Sequence, residues 1–186
     1  MTERELLQIH MECMFTYEKD KMVYVNEPWG STALAPLLFA GKTVHGEIVY
    51  RFGRQAEEDF IQKAMELLHS GVWDVSAYLE KLGVNRFSRE LCFYYLPHQK
   101  VPASGCCLLD SGGAALFEAS FRDCIDEIPF AQPYVGVINN RRLVSICRSV
   151  RKAIAGHEAG IETICGFRRQ GFGLESLYGW TSAMQE

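Results

Sequence analysis

The sequence has no surplus of positive charge. Its 19 Lys and Arg stand against 23 Asp and Glu, for a net charge of -4. Domains that hold nucleic acid carry a basic face, so this balance argues against that partner. No Cys-x-x-Cys pair occurs among the seven cysteines at 13, 92, 106, 107, 124, 147 and 165. An odd count at irregular spacing argues against a disulfide framework and for reduced thiols in a cytoplasmic protein. His10, His45, His69 and His98 show no ligand spacing, so no metal site is expected. No apolar run approaches the roughly 20 residues that span a bilayer. The most apolar stretch, 32–40, is too short, and no membrane partner is expected. The first residues, Met1-Thr-Glu-Arg-Glu, are charged and do not read as a signal peptide. No internal repeat or low-complexity segment is visible. What remains is an ordinary globular balance, 48% hydrophobic and 23% charged.

In chain order, residues 3–14 carry Leu6, Leu7, Ile9, His10, Cys13 and Met14 on one side, an amphipathic helix. Residues 15–17 and 22–26 read as a hairpin. Residues 37–44 and 46–52 read as two strands turned at His45-Gly46, so the front section predicts a small antiparallel sheet. Helices follow at 56–69 and 75–82. Gly71 ends the first and Gly83 is a natural stop for the second. The aromatic run 90–96 favours a strand. Pro97 and Pro102 punctuate a linker at 98–104, which separates an N-terminal α+β domain (1–100) from a second domain (104–186). In that domain, 106–110 predicts a strand and 112–123 a helical region with Leu116, Phe117 and Phe121 inward. Residues 124–132 form a loop. Strands at 134–138 and 143–150 turn at Asn139-Asn140, and 151–157 connects to the next strand.

The most informative stretch runs from Glu158 to Gly173: a short strand, a turn at Gly166, and a glycine-bearing helix start. The helix that follows carries Leu174, Leu177, Tyr178 and Met184 at helical spacing. The first N–H groups of a helix lack internal partners and can hold phosphate. Arg168 and Arg169 add positive charge at that end. Arg168-x-x-Gly171-x-Gly173 after a strand resembles the Arg/Gln-x-x-Gly-x-Gly/Ala signature of the GNAT acyltransferases. Gln132 to Cys147 resembles the hairpin of that fold's second and third strands, and Glu158-Ala-Gly-Ile-Glu-Thr its fourth strand. Val25-Asn-Glu-Pro28, Leu38-Phe-Ala-Gly-Lys-Thr43 and Arg51-Phe52 resemble the leader region of a bacterial subgroup.

The resemblance implies an α+β fold with a mixed, largely antiparallel sheet and flanking helices. It implies a GNAT domain that stops at Glu186, near the end of its third helix, and so is C-terminally incomplete. It also implies acetyl-CoA as co-substrate and a small amine as acceptor. The pantetheine arm would pair with the strand at Ile161 and Thr163. Arg168 would take the basic signature position, and Arg169, Gln170, Gly171, Phe172, Gly173 and Leu174 the pyrophosphate contacts. A strand N–H would stabilise the oxyanion. The general base falls first on Glu158 and second on Glu162, four apart on one strand face. The family glutamate sits nearer the place of His157, which reads otherwise as a polar loop residue. Cys165 lacks a positioned histidine and reads as a small hydrophobe. Without its usual neighbour the strand edge at 161–164 invites pairing, so a homo-oligomer is expected. The rival reading is a non-catalytic remnant that serves as a binding or assembly module. A Rossmann-type dinucleotide binder would need repeated βαβ units, which are not visible.

Overall fold

The computed structural model describes the chain except residues 31, 72, 95–104, 111, 113–116, 118 and 186. It is an α+β protein. Two compact units divide it, Met1–Val25 with Thr32–Tyr94, and Asn26–Ser31 with Tyr95–Glu186. The expected linker at 98–104 lies outside the described residues. No helix among the described residues is long and apolar enough to cross a membrane.

The first unit opens with α1 (Glu3–Met14), whose start is closed by a capping box. Thr2 Oγ1 accepts the Glu5 N–H at 3.2 Å and Glu5 Oε2 accepts the Thr2 N–H at 2.6 Å. Two orphan donors are thereby satisfied where the helix begins. The hairpin of β1 (Phe15–Glu18) and β2 (Lys21–Val25) follows, then the hairpin of β3 (Leu38–Lys42) and β4 (Ile48–Phe52). The expected single sheet is in fact two separate two-stranded ladders. Between them lies an isolated parallel bridge, Met22 to Gly53. Helix α2 (Glu58–His69) covers one side of β3–β4, burying Ala64, Leu67 and Leu68. Helix α3 (Val75–Leu82) is capped by Asp74 and ends on Gly83 at φ 64°, the left-handed stop its glycine permits. Residues 90–94 are not a strand: they carry no regular structure, and Leu91 and Phe93 are more than four-fifths exposed. Aromatic propensity alone makes no ladder without a partner strand.

The second unit is built on a four-stranded antiparallel sheet in the order β5 (Cys106–Leu108), β6 (Tyr134–Asn139), β7 (Arg142–Ala153), β8 (Gly156–Thr163). The β6–β7 turn falls one residue later than expected. Asn140 and Arg141 take the positive φ values, 50° and 65°, that a two-residue hairpin turn needs. Residues 151–157 are not a connector. The ladder of β7 and β8 continues through Arg151–Glu158 and Ala153–Gly156, with Val150 bulged out of register. One face of the sheet carries Leu109, Phe117, Phe121, Cys124, Ile128 and Tyr134 as a core. Of the helical region expected at 112–123, residues 113–116 and 118, Leu116 among them, lie outside the described residues; a 3-10 helix covers Ala119–Glu127, so the first part of the expected loop at 124–132 is helical.

Helix α4 (Phe172–Ala183) packs on the other face. Its apolar stripe is only partly covered, with Leu174 and Met184 exposed. Ser176, Gly179 and Trp180 are its buried residues, with Leu177 beside them. Small side chains decide the face because they let the helix backbone approach the sheet. A Cβ on Gly179 would lie 2.8 Å from Val135 Cγ1 and 2.9 Å from Cys106 Sγ.

Candidate functional site

Among the described residues β8 pairs only with β7, so its far side is an open strand edge. The strand leads through Ile164 into a single 3-10 turn, Cys165–Phe167. The expected sharp bend at Gly166 is supplied by this turn, without a positive φ there. The left-handed residues come later, Arg169 at 61° and Gly171 at 92°. Arg168 Nε donates to the Thr163 carbonyl at 3.0 Å, and Gln170 Nε2 to the Gly166 carbonyl at 3.0 Å. These two side chains brace the turn.

Gly171 is the N-cap of α4 and offers no side-chain cap. The first intrahelical bond runs from the Glu175 N–H to the Gly171 carbonyl at 3.0 Å. The N–H groups of Phe172, Gly173 and Leu174 therefore face the open helix end. A Cβ at Gly171 would meet nothing within 4 Å, so the space over the turn is clear. Gly173 differs: a Cβ there would sit 3.2 Å from Thr163 Oγ1 and 3.5 Å from Ile161 Cγ2. Its smallness brings the helix start close to β8.

Beside this turn lies a cleft of ≈ 530 Å³ lined by Phe121, residues 161–165 and Arg168. It brings together four of the sequence-predicted residues: Ile161, Glu162, Thr163 and Arg168. The others are elsewhere. Arg169, Gln170, Gly171, Phe172, Gly173 and Leu174 form the turn and helix start beyond the cleft lining. Glu158 is held by Arg151 Nη1 at 2.7 Å, and Arg151 also approaches Glu27 at 3.7 Å.

Glu162 belongs to a network that reading residue by residue does not reveal. Its Oε1 lies 2.7 Å from Arg148 Nη1, whose side chain is 8% exposed against 46% for Glu162. Arg148 Nε donates to Glu127. The Cys124 thiol lies 3.8 Å and 4.0 Å from the two Glu162 oxygens. The guanidinium stands 6.0 Å from the ring centre of the fully buried Tyr134. Burial pushes the Cys124 thiol up to about 11; Arg148 opposes this while Glu162 and Glu127 reinforce it, so the thiol stays protonated near neutrality. The signal for this network was Arg148 itself. A charged residue inside Leu143-Val-Ser-Ile-Cys147 and its continuation is almost never buried unpaired.

The opposite face of the sheet holds hydroxyl groups. Ser145 Oγ lies 2.8 Å from Thr163 Oγ1 and 3.2 Å from Ser176 Oγ, joining β7, β8 and α4. Nearby, Trp180 Nε1 donates to Ser149 Oγ at 3.1 Å, and Ser149 Oγ lies 3.0 Å from His157 Nδ1. The Ser149 proton is left for Nδ1, which places the imidazole proton on Nε2. Burial, with Lys152 opposite, lowers the His157 pKa. His157 is thus a neutral ring engaged on the helix side, not a loop residue. All seven cysteines are free thiols. No family model, curated protein or solved structure matches the chain.

Proposed function

We propose that the second unit binds acetyl-CoA along β8 and the α4 start and transfers the acetyl group to a small amine, in the manner of the GNAT acyltransferases. The observation that carries this reading is the open edge of β8 running through one tight turn into an uncapped helix N-terminus with Arg168-x-x-Gly171-x-Gly173 across the junction. A diphosphate fits this end: donors face outward, no side chain obstructs Gly171, and Arg168 and Arg169 bring positive charge. An extended pantetheine arm would lie against the edge at Ile161 and Thr163, taking backbone hydrogen bonds as an added strand does. Acetyl-CoA supplies an activated thioester. The chain's own task is to hold it, to direct a strand N–H at the developing oxyanion, and to take the proton of the amine. Glu162 lines the cleft and Glu158 does not, which makes Glu162 the better-placed proton acceptor.

A second reading has its own support. Both candidate carboxylates are already engaged by guanidinium groups, at 2.7 Å each. A unit that binds the co-substrate without turning it over, a binding or assembly module, accounts for that. The open β8 edge also suits a homo-oligomer, which light scattering at tens of micromolar reads directly, a monomer counting against it. The free thiols agree with a cytoplasmic setting.

Calorimetric titration with acetyl-CoA tests both readings. Saturable binding on the order of micromolar is expected. Thiol release on adding a panel of small amines then marks an enzyme, and binding without release marks a module. No binding overturns the acetyltransferase reading and leaves the assembly module, which light scattering then tests.

A further inference from the structure

The first unit contains a cleft that the reading above does not use. Its two hairpins approach at the Met22–Gly53 bridge, reinforced by the Arg54 N–H donating to the Met22 carbonyl at 2.8 Å. The β1–β2 turn and β4 border an opening of ≈ 550 Å³ that α1 also lines through Gln8, Met11 and Glu12.

The lining combines rings with cations. Tyr17 and Tyr50 contribute partly exposed aromatic surface, and the buried Phe52 meets Tyr50 edge-on with centroids 5.7 Å apart. The Tyr17 hydroxyl is spent on the Met11 carbonyl at 2.9 Å, so its ring is fixed in place. Lys21 Nζ stands 5.5 Å from the Phe52 ring centre. Arg51 donates through Nη1 to the Tyr50 carbonyl at 2.9 Å. Both cations are half-buried, and neither makes an ion pair among the described residues, although Glu12 and Asp20 stand on the same lining. With Lys19 the cleft holds three cations against two acids, a local excess of one positive charge on a chain of net charge -4. A partly desolvated guanidinium without a counterion is a costly arrangement that an anion relieves. Rings beside it favour a planar group on the same molecule.

The geometry points to a small-molecule site in this cleft for an aromatic anion, a ring carrying a carboxylate or a phosphate. The ring lies beside Tyr17 and Tyr50, and the anionic group meets Arg51 and Lys21. This site belongs to the first unit, and its test does not depend on acetyl-CoA binding.

Proton NMR of the full chain tests it, with benzoate and adenosine monophosphate as the two anions and benzamide and adenosine as their uncharged counterparts. Saturable shifts of the Tyr17 and Tyr50 ring signals are expected with at least one anion at about millimolar concentration. Response to benzoate alone assigns the carboxylate class, and response to adenosine monophosphate alone the phosphate class. Arg51→Met and Lys21→Met should each weaken that response by about tenfold. Should Arg51→Met not fold, Lys21→Met decides. No saturable shift of these rings by either anion up to about 10 mM overturns the assignment, as does an equal response to the uncharged counterparts. Unchanged affinity in the folded variants also overturns it.

Discussion

Arg148→Met tests the physical account of the Glu162 network. The wild-type side chain is 8% exposed and faces two carboxylates, Glu127 with 21% and Glu162 with 46% exposure. Methionine preserves much of the volume and removes the charge. Glu127 then stays largely buried without its counterion, and breaking such a pair from one side costs about 3–5 kcal/mol. Glu162 contributes less, because a half-exposed carboxylate regains water. Glu127→Gln alone leaves Arg148 one carboxylate and should cost about 1–2 kcal/mol. In the double variant the uncompensated charge is gone, so part of the loss returns, a coupling of about 1–3 kcal/mol. Hydrogen exchange of the β6 and β7 amides is the assay of choice, since it reads the second unit without mixing in the unfolding of the first. An Arg148→Met cost below about 1 kcal/mol, or an additive double variant, would refute the idea that the guanidinium is held by buried charge.

Three further outcomes are expected. Gly171→Glu should abolish acetyl-CoA binding by calorimetry, since it puts a negative side chain over the helix end; with no atom near that Cβ, only left-handed strain remains, about 1–2 kcal/mol. Gly179→Ala should destabilise the second unit by about 1–3 kcal/mol, because its Cβ meets Val135 and Cys106 within 3.0 Å, whereas Gly166→Ala should be nearly neutral in the same denaturation series. His157 has a lowered folded-state pKa, so the unfolded chain binds the extra proton first; its stabilising contribution is present above the unfolded value of about 6.5 and is lost as pH falls below it. Stability measured from pH 7.5 to 5 should fall less in His157→Gln than in the wild type, and identical slopes would exclude burial of the His157 ring beside Lys152 as the cause.

The elements whose signals are local were legible in the amino acids alone. Helix α1, the two front hairpins, the Gly83 stop and the strand–turn–helix order from Glu158 to α4 follow from periodicity, turn residues and caps that act within a few positions. Gly171 stands at the helix start as expected, but its left-handed φ of 92° was not legible, since the sequence placed the bend at Gly166. What sequence could not decide depends on partners far along the chain. Arg148 meets Glu127 21 positions away, and Cys124 meets Glu162 38 positions away, distances at which no pattern in the residues says which charge faces which. The face of α4 was settled by close packing. Leu174 and Met184 have the right spacing, yet Ser176, Gly179 and Trp180 are buried, because only their small side chains and one bonded indole allow the helix to reach the sheet. The aromatic run at 90–94 has strand propensity and no strand, since a ladder exists only where tertiary structure supplies a second backbone to pair with.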